Sequence, residues 1–234
     1  IGAKISVDFD LGHYDVLLLC QNHEGYLNLS ELISKAYLNE QGISIVSVTE
    51  EQLISHQKGL LMIATPINSD ISQLLLTNEL ELAHTKAKNW QGIFNDRYYF
   101  SAQRTDRHSD ENLLNLTIEL GLKLNIPVVA TNDVQFLRKS DFDAHEARIC
   151  IAEGGLLDDS RRLKIFSDSQ YLKTADEMSE LFKDYPLLLA NATEVAKRCN
   201  LHFKLFEKNY LPAFPTPKGK SIAEFFSEES NKGL

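Results

Sequence analysis

The sequence predicts an α/β fold with a largely parallel sheet. Short apolar runs alternate with longer stretches of helical periodicity, and one amphipathic helix is followed at once by a buried strand. That unit consists of an expected helix at 110–124 and an expected strand at 126–130. The inner side of the helix is formed by leucines spaced three or four residues apart, namely Leu113, Leu116, Leu120 and Leu124.

The first hundred residues contain most of the other strand signals. The expected elements are strands at 4–7 and 14–19 joined by a turn at Leu11-Gly12, a helix at 24–37, a strand at 60–64 ended by Thr65-Pro66, a helix at 79–90 and a strand at 98–100. A capping box, Thr49-Glu50-Glu51-Gln52, predicts a short helix between the first helix and the third strand.

The second half is predicted to be mainly helical. Its expected elements are a helix from Ser140-Asp141 to Glu153 stopped by Gly154-Gly155, a polar connection through Arg161 and Arg162, a helix after the capping box at 174–177, and a helix at 187–199. Three prolines between Leu211 and Pro217 predict an extended connector, and Ser221 begins a further helix. We expect a domain boundary at about 210 to 218 on this basis.

Composition and charge narrow the classes of function. Hydrophobic residues make up 43% and charged residues 24% of the chain, which is ordinary for a globular domain. The net charge of −9 makes the chain alone a poor DNA binder, since phosphate contacts require clustered Lys and Arg. No apolar run reaches the length of a membrane span, and no signal peptide is visible, so we expect a cytoplasmic protein. The three cysteines, Cys20, Cys150 and Cys199, form no Cys-x-x-Cys pair, so neither a disulfide framework nor a thiolate zinc site is expected.

The most chemically suggestive cluster is Ala130-Thr131-Asn132-Asp133-Val134-Gln135, followed by Asp141, Asp143, His145 and Glu146. Polar residues just past the carboxyl end of a parallel strand line the usual active-site face of such folds, and Asp133 occupies that position. The alternative is a set of loop and helix-capping acids. For His145, a packed or surface position is favoured over a ligand role.

Four blocks of the sequence, in family order, resemble the PHP domain of the bacterial DNA polymerase III alpha subunit, of the gammaproteobacterial type. They are 126–134 with 141–146, 22–29 with 32–37, 194–200, and 210–216. The resemblance implies a distorted (β/α) barrel-like PHP domain, incomplete at its N-terminus. Residues 1–210 would form this domain without its first strands, since the chain begins without Met in an apparent strand. Residues 211–234 would form the proline-rich connector and the start of the palm domain.

The resemblance also places five positions of the family's metal pocket in this chain. Metal-bearing members hold two or three divalent ions there and resemble 3′–5′ exonucleases or phosphoesterases. In this sequence the acidic positions are kept as Asp8 and Asp133, whereas Tyr37, Pro66 and Gln135 stand where the family has a histidine, a cysteine and a histidine. Two carboxylates without imidazole or thiolate help rarely form a tight transition-metal site, so we expect a degenerate pocket with at most residual metal binding at Asp8 and Asp133, and no catalytic residue.

The function implied by the resemblance is that of one part of a replicative DNA polymerase, a DNA-directed nucleotidyltransferase. The segment would be a scaffold and a docking surface for the proofreading exonuclease, alongside other replicase subunits, with DNA bound by domains beyond it. The parent polymerase would use magnesium, and zinc or manganese would bind only if the PHP site were active. No cofactor is expected for this segment itself. The alternatives are a metal-dependent 3′–5′ exonuclease or phosphoesterase of the PHP class, and a small-molecule α/β enzyme. Candidate docking surfaces are 79–81 and the aromatic run 94–100. The favoured alternative is that the first is an ordinary surface and the second a buried strand.

Overall fold

One mixed sheet of six strands organises the computed structural model, which describes residues 1–9, 12–38, 46–159, 165–204 and 214–234. The strands are β1 (Gly2–Phe9), β2 (Gly12–Cys20), β3 (Ser47–Thr49), β4 (Leu60–Ala64), β5 (Tyr98–Ala102) and β6 (Val128–Ala130), in the spatial order β3-β1-β2-β4-β5-β6. β2 is antiparallel to β1 and to β4, whereas the pairs β1–β3, β4–β5 and β5–β6 are parallel. Within the described residues the sheet is open, with β3 and β6 at its edges.

Nine α-helices accompany the sheet in the described part of the chain. They are α1 (His23–Leu38), α2 (Glu50–Ser55), α3 (Asp70–Leu76), α4 (Leu80–Phe94), α5 (Asp110–Leu124), α6 (Phe142–Glu153), α7 (Ala175–Leu181), α8 (Pro186–Arg198) and α9 (Ile222–Gly233). None of these helices is long and apolar enough to span a bilayer.

The two faces of the sheet are covered by different helices. Alternate residues of β2, such as Val16 and Leu18, pack into the main core with helices α1 to α5, because successive side chains of a strand point to opposite faces. Leu61 and Ile63 of β4 face the other way and pack with Val195 of α8. α8 also closes the edge of the sheet, where the Asn191 side chain donates a 2.8 Å hydrogen bond to the carbonyl oxygen of Val128.

The α/β prediction is confirmed, and the expected strand at 60–64 and helix at 110–124 are found with the same bounds. The expectation of a largely parallel sheet is only partly met, because β2 is antiparallel to both neighbours. The aromatic run 94–100 extends from the last residue of α4 into the buried strand β5. Its residues Phe94, Tyr98 and Phe100 are all buried, so the run is not a docking surface. Leu11, the first residue of the expected turn at Leu11-Gly12, lies outside the described residues. The expected connection through Arg161 and Arg162 also lies outside them.

Helix α3 and strand β3 were not predicted from the sequence. α3 begins with a capping box in which Ser69 is the N-cap and Ser72, instead of Glu or Gln, occupies the third position. Its first residue, Asp70, is buried and accepts a 2.9 Å hydrogen bond from the indole of Trp90. Because α3 begins with a buried acid, its sequence lacks the apolar periodicity by which a helix is predicted.

The chain divides into two compact units, Ile1–Leu201 and His202–Leu234. The second contains α9, whose N-cap Ser221 forms a capping box with Glu224, and Phe214 stacks on Phe225 with ring centroids 5.8 Å apart. Residues 211–213 of the proline-rich segment lie outside the described residues. The boundary near 210 to 218 therefore stays a prediction.

Two glycines bring α1 against the start of β4. A Cβ added to Gly25 would lie 1.9 Å from the carbonyl oxygen of Gly59, and Gly59 itself has a φ of 70°. The Asn22 side chain caps this contact by accepting a 3.0 Å hydrogen bond from the backbone N–H of Gly25. The backbones approach closely here because neither residue has a side chain.

Replacing Gly25 with Ala should lower the free energy of unfolding by about 1–3 kcal/mol, because the backbone must shift to admit the methyl group. Gly92→Ala is the matched control, since a Cβ at this helical position has no atom within 4 Å; it should stabilise by up to about 1 kcal/mol. Urea unfolding of both variants measures the difference. Equal effects of the two substitutions would contradict the close contact.

Candidate functional site

A cavity of about 1010 Å³ lies where β4, β5 and β6 end. Its wall is built from the segments that follow these three strands, with Leu17 of β2 beside them. Contributions come from 65–68 after β4, from 106–109 after β5, from 131–135 after β6, and from 165–167. Because parallel strands end at the same edge, side chains distant in sequence meet there, as is usual for the ligand face of α/β folds.

The centre of the cavity wall is the carboxylate of Asp133. Its Oδ1 accepts a 2.9 Å hydrogen bond from the Gln135 side chain, and its Oδ2 accepts one of the same length from the side chain of Gln170. Nη2 of Arg107 lies 3.4 Å from Oδ2. Both carboxylate oxygens are therefore occupied by N–H donors of the protein.

The loop after β5 positions Arg107. Asp106 has a φ of 59°, a left-handed conformation that turns the chain just before Arg107. The loop is fixed by the buried carboxylate of Asp110, whose Oδ2 accepts hydrogen bonds from the backbone N–H and the hydroxyl of Thr105, at 2.6 and 2.9 Å. The Arg107 guanidinium is consequently directed across the cavity to the loop that follows β6.

The segment 165–173 is held over the end of β6 by side-chain amides. Gln170 is fully buried, its side-chain oxygen accepts from the Ser167 backbone at 2.9 Å, and its backbone oxygen accepts from the Gln135 backbone at 2.8 Å. Asn132 donates a 2.7 Å hydrogen bond to the carbonyl of Tyr171. Lys173 donates to the carbonyl of Ser169 and to the Asn132 side chain, and burial lowers the pKa of Lys173.

The structure brings together three of the five residues that the family resemblance assigned to a pocket. Pro66, Asp133 and Gln135 all line the cavity. Asp8 does not line it; its Oδ1 lies 2.5 Å from Nδ1 of His13 on the neighbouring strand. Tyr37 is 68% exposed near the end of α1.

The second part of the predicted cluster lies outside the cavity wall. Asp141 is the N-cap of α6 but makes no side-chain capping bond to that helix. Its carboxylate instead accepts a 2.9 Å hydrogen bond from the Arg138 backbone, at the start of the preceding 3-10 turn. His145 is buried, with ring centroids 5.3 Å from Phe136 and 4.8 Å from Phe166. The preference for a packed histidine at this position is confirmed.

Arg107 and Gln170 are the central residues that the sequence analysis missed. Arg107 lies between an expected strand and an expected helix. It could have been predicted, because functional residues of parallel α/β folds often follow the carboxyl ends of strands. Gln170 had no such signal, because it lies far from any predicted strand and its burial depends on the tertiary fold.

Comparison with known proteins identifies the family. Residues 1–105 match the model of the PHP domain. Residues 1–105 belong to the PHP domain family. The chain is 43% identical over 219 residues to the DNA polymerase III subunit alpha of Pseudomonas fluorescens, an alignment that covers 94% of the chain and 19% of that relative. It is also 38% identical over 237 residues to the subunit of Escherichia coli K12, covering all of the chain and 20% of the relative, and 34% identical to that of Haemophilus influenzae over 238 residues, with the same coverage. The chain thus spans about a fifth of the length of these curated relatives.

The described side chains around this cavity do not fit a metal centre of the PHP family. No group of three or more His, Cys, Asp or Glu side chains is placed to hold an ion among the residues that the structure describes. Asp133 already accepts hydrogen bonds at both oxygens, Pro66 has no donor atom, and Tyr37 and Asp8 do not line the cavity. Of the five family positions, Asp133 is thus the one acid at this cavity, whereas a metal centre needs several ligand side chains.

The surroundings of His145 should make the fold less stable at acidic pH. Burial lowers the pKa of His145, and the Arg148 guanidinium, 3.1 Å from its Nδ1, lowers it further. Because Arg148 can only donate, Nδ1 accepts and the ring proton is on Nε2. Protonation would place a second positive charge against Arg148 among aromatic rings.

We expect the His145 ring to titrate below its ordinary value of about 6.5. Since the folded-state pKa is depressed, this histidine stabilises the fold above about pH 6.5, and that contribution is lost as the pH falls through the folded-state pKa. Proton NMR of the ring, with His145→Phe to assign the signal, measures the midpoint. A midpoint above the ordinary value would contradict the buried, arginine-facing geometry.

Proposed function

We propose that this chain is the PHP segment of a DNA polymerase III alpha subunit and acts there as a non-catalytic scaffold and docking surface for the proofreading exonuclease. The observation that carries the proposal is the similarity to alpha subunits across nearly the whole chain, at 94% of it for the Pseudomonas fluorescens relative and all of it for that of Escherichia coli K12. In this proposal, the polymerase works in the cytoplasm as a DNA-directed nucleotidyltransferase. Its magnesium ions and its DNA would be held by domains beyond this segment, and the other replicase subunits would be further partners.

The charge of the chain supports this division of labour. With 24 Lys and Arg against 33 Asp and Glu, the segment has no excess of cations with which to neutralise phosphates. Arg104, which follows β5, is committed to the fold: it pairs with Glu111 at 2.6 Å and with Asp184 at 2.7 Å. A structural role fits these commitments better than DNA binding.

The non-catalytic role is supported by the state of Asp133. A metal nuclease needs carboxylates with free lone pairs and an open coordination position for water. Here the two glutamines and Arg107 direct three N–H donors at Asp133, and it is the one acid of the five family positions that lines the cavity. In the alternative function, a metal-dependent 3′–5′ exonuclease or phosphoesterase of the PHP class using zinc or manganese, Asp133 would be a ligand and Asp8 a second acid near it.

The catalytic proposal is tested on the full-length protein that contains this chain. We expect primer extension with magnesium and deoxynucleotides, and we expect Asp133→Asn to leave any release of 3′-terminal nucleotides, in manganese or zinc, unchanged. Asp158→Asn, at an exposed position outside the cavity, is the matched control. A loss of nuclease activity by about tenfold or more in the Asp133 variant alone would support the nuclease instead.

Docking of the exonuclease is tested at the acidic start of α4. Glu79 and Glu81 are exposed, and Leu80 between them is 42% exposed, so the segment offers a charged, partly apolar surface. Neutralising both acids to Gln should weaken binding of the proofreading exonuclease subunit about tenfold or more, measured by interferometry with full-length protein. Glu153→Gln at the exposed end of α6 is the control. Unchanged affinity in the double variant would remove this surface from consideration.

A further inference from the structure

We propose that Arg107 is the resident cation of the strand-end cavity and positions the segment 165–170 by neutralising Asp133, where the PHP family would place a divalent ion. This inference rests on the proposed absence of a working metal centre. It concerns a positioning residue, since Arg107 acts through the groups it holds.

The contacts of the guanidinium support a central role. Nη2 lies 3.4 Å from Asp133 Oδ2 and 3.4 Å from the side-chain oxygen of Gln170, and Nε donates a 3.2 Å hydrogen bond to the carbonyl of Ile165. One side chain therefore touches the loop after β6 and two points of the segment 165–170. A planar group with five donors can do this, whereas an ammonium cannot reach all three acceptors in one orientation.

Asp133 needs a cation because its other partners are neutral. The amides of Gln135 and Gln170 donate one hydrogen bond to each of its oxygens but carry no charge to balance the carboxylate. Its side chain is 42% exposed and that of Arg107 is 20% exposed, so water weakens the attraction without removing it.

The other charged groups of the cavity are already paired elsewhere. Lys4 lies 3.3 Å from the carboxylate of Asp15. Asp106 accepts a hydrogen bond from Ser169, and Lys173 lies near enough to Asp106 to interact with it. Of the described Lys and Arg side chains that line the cavity, Lys4 and Arg107, it is Arg107 that contacts Asp133.

The position of Gln170 shows what the pair achieves. This fully buried side chain donates to the carboxylate and to the backbone oxygen of Asp133, at 2.9 and 3.1 Å. Its own oxygen accepts from the Ser167 backbone at 2.9 Å. Arg107 thus closes a ring of contacts that fixes the segment against the end of β6, the mechanical task that a bridging ion performs in a metal site.

Hydrogen–deuterium exchange of the 165–172 backbone, measured in the full-length protein, tests the inference. Arg107→Met should accelerate exchange there about tenfold, and so should Asp133→Asn. Because the two act as one pair, the double variant should exchange no faster than the faster single variant. Arg107→Lys, which keeps the charge but not the planar guanidinium, should retain part of the protection from exchange. Lys123→Met, at an exposed position of α5 outside the cavity, serves as the control.

Three results would overturn the assignment of Arg107: no acceleration in Arg107→Met, additive effects in the double variant, or equal exchange in Arg107→Lys and Arg107→Met. Elemental analysis of the same wild-type protein after manganese and zinc exposure separates this failure from a failure of the proposed function. Near-stoichiometric metal that is lost in Asp133→Asn would overturn both proposals. If no metal is bound and the effects of the Arg107 and Asp133 substitutions are additive, only the role of Arg107 would be overturned.

Discussion

The parallel pairing of β4, β5 and β6 decides where the polar residues of this chain meet. Each of these short strands is buried on both faces and contains no charged residue, so the charged side chains come from the segments that follow. Because the three strands run in the same direction, the segments that follow them arrive at one edge of the sheet. Pro66, Arg107 and Asp133 become neighbours of one cavity for this reason, although almost seventy residues separate the first from the last.

The sequence predicted those elements that carry their own signal. Strand β4 is a continuous apolar run, helix α5 has a leucine face, and Thr174 begins α7 through a complete capping box. β3 could not be predicted, because three residues are too few for a periodic pattern and the strand depends on pairing with β1.

The candidate site was predictable only in part, for a related reason. Asp133 lies directly after a strong strand signal, and the rule for parallel sheets marks such a position. Tyr37 and Asp8 were assigned by family resemblance alone, and the structure places neither in the cavity wall. The partners of Asp133 come from loops whose course is determined by tertiary contacts, above all the buried Gln170.

The contact between Gly25 and Gly59 has a consequence for how such a domain changes over evolutionary time. A side chain that lines a cavity can be exchanged singly, because the space beside it can absorb a change of size. Neither glycine can be exchanged singly, because any side chain on one collides with the backbone of the other. Homologous lineages should therefore keep this pair of glycines even where the residues around the cavity differ.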